Sequence, residues 1–96
     1  MIVLSVTVIA SDVSSNSAQL NGIIDKFPFP INVSFQYGTS PSFGSEIPGD
    51  PSNVNDTLYH TIKALLSGLQ PGKIYYYRLV INTGSEILIG NTQSFF

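Results

Sequence analysis

The chain has 96 residues, enough for one core, and folding at this length hides roughly 60–70% of the unfolded surface. Hydrophobic residues make up 43% and aromatic residues 11%, but charged residues only 10%, against about 25% in an average globular domain, so Ser, Thr, Asn and Gln must build the surface. A net charge of -2, with Lys26, Lys63, Lys73 and Arg78 scattered and no cysteine anywhere, excludes a phosphate-condensing basic face, disulfides, thiol catalysis and cysteine-ligated zinc.

The apolar opening Met1 to Ala10 lacks the positively charged start of a signal peptide, is rich in β-branched residues and alternates from Leu4 to Val8. It is expected to be a first strand. Ser11 to Ser17 is a polar turn cluster, after which Ala18, Leu20, Gly22 and Ile24 alternate with polar or exposed partners as a second strand with one buried face. Asp25-Lys26-Phe27-Pro28-Phe29-Pro30 cannot continue a ladder, because each proline lacks a donor and forces its predecessor into an extended form.

Val33, Phe35 and Tyr37 share one face of a third strand that ends at Gly38-Thr39-Ser40-Pro41-Ser42, and a short edge strand is expected near Gly44 to Ile47. Pro48 to Asp56, dense in Pro, Gly, Asn and Asp, is expected to be the most mobile loop. From about Leu58, His60, Ile62, Ala64 and Leu66 share a parity, and Ser67-Gly68 leads into Leu69-Gln70-Pro71-Gly72. Ile74 to Asn82 follows, with Tyr75, Tyr77, Leu79 and Ile81 on one face and Tyr76, Arg78 and Val80 on the other. Thr83-Gly84-Ser85 turns into a last strand from about Glu86 to Phe96, kinked at Gly90. No stretch sustains helical spacing or approaches the ~20 apolar residues needed to cross a bilayer, so membrane insertion is not expected.

No constellation for catalysis is visible. His60 is the sole histidine, so neither a Ser/His/Asp triad with a spare ligand nor a multi-histidine metal site can be assembled, and it is expected to be an ordinary strand residue. Asp12, Asp25, Glu46, Asp50, Asp56 and Glu86 fall mostly in loops or at strand ends, where carboxylates solvate and shape turns. Asp50 and Asp56 lack the dense Asp-x-Asp pattern of a calcium loop, and Gly84 and Gly90 precede no helix that could hold a phosphate. Catalytic, metal and cofactor sites are therefore all expected to be absent. Asn32-Val33-Ser34 and Asn55-Asp56-Thr57 fit the N-glycosylation pattern, Asn55 being the better placed.

Leu69-Gln70-Pro71-Gly72-Lys73-Ile74-Tyr75, followed by Tyr76-Tyr77-Arg78-Leu79, resembles the turn and following strand of fibronectin type III domains. The resemblance extends to Ala18-Gln19-Leu20-Asn21-Gly22, Val33 to Gly38 and Asn82-Thr83-Gly84, nearly the whole chain. It implies an all-β, immunoglobulin-like sandwich of about seven antiparallel strands in two sheets, with residues 1–96 as one domain. It also implies a tyrosine corner, in which Leu69 anchors the turn, Pro71 and Gly72 shape it, and the Tyr75 hydroxyl bonds upstream main chain. Animal members bury a tryptophan on the second strand where this chain has Leu20, so Phe35, Tyr37, Tyr77 and Phe95 must supply core volume. Phe35 to Ser40 looks like the variants of bacterial and archaeal extracellular proteins, which implies an extracellular or cell-surface location.

The function so implied is a non-catalytic structural or interaction module, a spacer or adhesion-type domain cut from a larger secreted or surface protein, with neighbouring domains as its partners. The single arginine, Arg78, precedes Leu79, so no Arg-Gly-Asp adhesive loop is present. The alternative is a carbohydrate-binding accessory module, because flat exposed rings stack on sugars. Its candidate surface, which could equally meet a surface protein, comprises Phe27 and Phe29 in the proline loop with Tyr76 and Arg78 on the outer face.

Overall fold

The computed structural model describes residues 5–24, 30–55 and 59–96. Seven strands follow in order: β1 (Ser5–Ser11), β2 (Ala18–Ile24), β3 (Ile31–Gly38), β4 (Ser45–Val54), β5 (His60–Leu66), β6 (Tyr75–Asn82) and β7 (Ile87–Phe95). Period-two alternation places Ala18, Leu20, Gly22 and Ile24 of β2, Ile31, Val33 and Phe35 of β3, and Ile62, Ala64 and Leu66 of β5 inside. They meet Tyr77, Leu79 and Ile81 of β6 in one core, with Phe35 and Tyr77 edge-on at 6.0 Å between centroids. Tyr37 and Phe95 pack against this core while staying partly exposed.

The pairings bear out an all-β fold of seven antiparallel strands and do not confirm a two-sheet, immunoglobulin-like sandwich. The strands make one continuous antiparallel order, β1-β2-β5-β4-β3-β6-β7, rolled nearly into a barrel. The cause is β4. The stretch expected to be a mobile loop, Pro48 onward, continues this strand to Val54. Ser45 to Pro48 pair with Tyr37 to Ser34, the ladder then breaks, and Asn53 and Val54 resume against Asn32 and Ile31. Within the break Asp50 pairs with Lys63 of β5, so one excursion joins the two halves. Pro48 and Pro51, which lack a donor, are tolerated because they sit beside and within this irregularity. Gly49 is buried there, and a Cβ at that position would lie 2.5 Å from Ile62 Cγ2.

Strict alternation over seven strands makes β1 and β7 run in the same direction, so the roll cannot end in one more antiparallel ladder. Side chains bridge the seam instead. Thr7 N–H donates to Asn91 Oδ1 at 3.0 Å, while Asn91 Nδ2 and Gln93 Nε2 donate to the Thr7 carbonyl at 3.1 and 3.3 Å. The Tyr77 hydroxyl donates to the Val8 carbonyl. Around the kink expected at Gly90 the β6–β7 register shifts, leaving Leu79 with no partner in β7, and its N–H donates to Thr7 Oγ1 at 3.0 Å. Apolar alternation alone would have turned Val6 and Val8 inward. In the structure Thr7 is buried, Val6 and Ile9 are exposed and Val8 is half-buried, because the free Leu79 N–H needs an acceptor that valine does not have. A third side-chain amide, Asn21, bridges the irregularity of β1 by donating to Ile9 O at 2.9 Å and Ser11 Oγ at 3.1 Å.

Thr7→Val keeps the shape but strands the Leu79 N–H, and should cost about 1–3 kcal/mol. A urea midpoint lowered by on the order of 1 M is expected, and an unchanged midpoint would refute the seam bond. Burial pushes the Tyr77 phenol up from 10.0 to about 12, a backbone hydrogen bond with Asn21 partly opposing the shift. Because its folded pKa is the higher one, the unfolded chain loses this proton first. This contribution to stability is complete below pH 10 and is lost as pH rises toward 12. Ultraviolet titration should find the Tyr77 phenol ionising well above pH 10, together with unfolding.

Candidate functional site

The predicted corner residues gather at one end of the barrel. The Gln70 N–H donates to Tyr75 Oη at 2.8 Å, across a turn in which Gly72 has φ 74° and Pro71 is exposed. Tyr75 is 8% exposed and its ring stacks on Phe95 at 5.6 Å between centroids. Leu69 packs against the core and its N–H donates to Asn16 O at 2.9 Å. Beside this corner lies a cleft of about 350 Å³, whose lining includes Val13, Lys73 and Phe96. Ser14, Ser15 and Gln70 also line it, while Leu69, Tyr75 and Phe95 brace this end of the barrel.

The predicted surface divides. Phe27 and Phe29 lie outside the described residues, as do Asp25, Asp56 and Thr57. Tyr76 and Arg78 sit on the outer face of β6, where alternation and the register set them in neighbouring rows: Tyr76 between Gly38 and Ser94, and Arg78 between Gln36 and Thr92. The Arg78 row continues through Gln36 to Glu46 on β4. Both Tyr76 and Arg78 are half-buried.

Arg78 is the centre of a small groove. Its Nε–H donates to Gln36 Oε1 at 2.8 Å, and its guanidinium lies 4.4 Å from the centroid of the Phe43 ring, a cation–π geometry. Ser34 Oγ donates to Glu46 Oε2 at 2.5 Å. Gln36, Phe43, Glu46 and Arg78, together with Ser42 and Ser45, line an open cavity of about 320 Å³. Phe43 reaches this place through backbone that an L residue rarely adopts, with φ 65°. Its N–H donates to Ser40 O at 2.9 Å, and its carbonyl lies so close over Gly38 that a Cβ there would overlap it. Nearby, Asn53 Nδ2 donates to Asn32 Oδ1 at 2.9 Å, so the Asn32 triplet lies on a strand, whereas Asn55 is exposed beyond β4.

Among the described residues there is no cluster of three or more His, Asp or Glu side chains, and His60 lies half-buried on β5. No helix of the described residues is long and apolar enough to cross a membrane. The groove pairs a fixed cation with an amide, hydroxyls and a carboxylate. That set can hold a polar ligand by hydrogen bonds.

No protein-family model matches the chain, and no curated protein matches it. Solved structures do. The sensor domain of the anti-sigma factor RsgI4 in Pseudobacteroides cellulosolvens, in its shorter form, is similar over 97% of this chain and 91% of its own, at 21% identity and a TM-score of 0.75. The longer form is similar over 98% of this chain and 87% of its own (19% identity, TM-score 0.68), and its solution structure over 98% and 74% (20% identity, TM-score 0.75). At such identities the likeness establishes a shared fold. It also corrects the fibronectin type III assignment, since these three structures are anti-sigma factor sensor domains. The Leu-x-Pro-Gly turn and its tyrosine answer a local need, reversing the chain while satisfying turn amides, and that need is not peculiar to one family.

Gln36, Glu46 and Ser34 were missed as site residues because they read in sequence as ordinary solvent-facing strand positions. The available signal was Phe43 next to Gly44, an aromatic in a turn with no apolar run to bury it. If the Phe43 ring covers the guanidinium, its ring current shields the Arg78 Nε–H proton. In Phe43→Ala that resonance should move downfield in the NMR spectrum, and an unmoved signal would separate the ring from the cation.

Proposed function

We propose that residues 1–96 form one non-catalytic interaction module of a larger extracellular or cell-surface protein, which recognises a ligand on the outer face of β4, β3 and β6. The observation that carries this reading is the likeness, over nearly the full chain, to structures described as sensor domains of an anti-sigma factor. Two features support it. Ser5, paired with Ile24, and Phe95, paired with Tyr75, lie at opposite ends of a body measuring 41 × 23 × 18 Å, a geometry suited to stringing domains along one axis. The low charge and the amide-rich outer face suit contact with a hydroxyl-rich surface, since amides both donate and accept.

A polysaccharide is the ligand class this reading favours, with neighbouring domains of the parent chain as structural partners. Stacking on bare rings is the weaker version of it, because Arg78 already covers Phe43 and Tyr76 is half-buried. Incubating the purified chain with insoluble plant polysaccharides and with cell-envelope fractions should leave it in the pellet with at least one of them while releasing no reducing sugar. Release of sugar would overturn the non-catalytic reading, and absence from every pellet would reduce the chain to a passive spacer.

A further inference from the structure

We propose that the Arg78 groove is a carboxylate-reading subsite, built to hold a uronic-acid residue of an acidic polysaccharide. The inference rests on the interaction-module reading and names the ligand chemistry of that same face.

Arg78 is the only arginine in a chain with four cationic side chains. It is held on two sides, by Gln36 at Nε and by the Phe43 ring across its plane. Among the described residues its terminal amino groups meet no acceptor. A guanidinium whose rotamer is fixed by neighbours, with its outer edge left open, loses little freedom on binding and offers two parallel N–H donors to a carboxylate. An arginine serving only to solubilise the sheet would need neither the amide clamp nor a phenylalanine kept at positive φ.

The opposite side of the groove selects among carboxylates. Glu46 lies two strands from Arg78 in the same row, roughly 10 Å away at ordinary strand spacing, and it already accepts from Ser34. An acidic peptide would bring further negative charge toward Glu46. A uronic acid places its carboxylate on Arg78 and turns neutral hydroxyls toward Glu46, Ser42 and Ser45, each of which can accept or exchange a hydrogen bond. The match is between a groove carrying one cation and one acceptor-only anion and a ligand carrying one anion and several hydroxyl donors.

The test is a titration of the whole chain, observed by amide NMR, with trigalacturonic acid and, in parallel, with cellotriose. The acidic sugar should move the resonances of Gln36, Phe43, Glu46 and Arg78, with an affinity that falls as salt is added, while the neutral sugar leaves them in place. Arg78→Lys keeps the charge but loses the fork and the stacked plane, and should bind at least about tenfold more weakly. Gln36→Leu, which frees the guanidinium without removing it, should weaken binding less. An unchanged amide spectrum outside the groove verifies that each variant is folded. Equal binding of both sugars, wild-type affinity in Arg78→Lys, or no shift on this face with either sugar would overturn the subsite. Shifts confined to another face, with the groove unmoved by the acidic sugar, would overturn it while leaving the interaction module standing, and only failure to bind every polysaccharide and envelope fraction would remove both.

Discussion

Seven strands that alternate in direction leave the first and last parallel, and the way this chain closes that seam governs the remainder of its structure. Thr7 is the hinge of the solution. Its main-chain N–H and carbonyl are met by the carboxamides of Asn91 and Gln93, which stand in for the neighbouring strand, and its hydroxyl accepts the N–H that β6 exposes at its register shift. Buried backbone groups must find partners, and among the described residues no buried side-chain polar atom is left without one. Tyr77 ties the core to the same seam through the Val8 carbonyl, so the central ring and the closing strand hold each other in place.

The other half of the roll depends on β4. This strand leaves β3 at Gly49, touches β5 at Asp50 and returns to β3 at Asn53, at a point where only glycine fits beside Ile62. The consequence for the candidate site is direct. Because the first part of β4 stays in register with β3, Glu46 lies beside Gln36 and thus in the row that contains Arg78. The tight turn entering β4 brings Phe43 back over that row, and Gly38 leaves room for its carbonyl. The groove is therefore assembled from three strands and one strained turn.

A rolled sheet whose seam is satisfied by its own side chains is a stable frame on which an outer face can vary, since that face contributes little to the core. Shared folds carry many functions. The likeness to sensor domains accordingly identifies the frame, and the choice of ligand chemistry rests on the fixed guanidinium and the groups around it. In a chain with so little charge, one arginine clamped between an amide and a ring is the most specific chemical feature on the surface.

The alternation of β2, β3 and β5 was legible in the sequence, and that of β6 except at Val80, which is buried rather than on the outer face, as were the kink at Gly90 and the turn from Leu69 to Gly72. Strand period and turn chemistry are properties of neighbouring residues, and they act before any distant contact forms. The inward side of β1, the strand that runs through Pro48 and Pro51, and the rolled single order in place of two sheets were decided by tertiary structure. Each depends on which remote group is left needing a partner. The meeting of Arg78 with Gln36, Glu46 and Phe43 belongs to the same class, because only the register of β4, β3 and β6 brings side chains so far apart in the chain into one row.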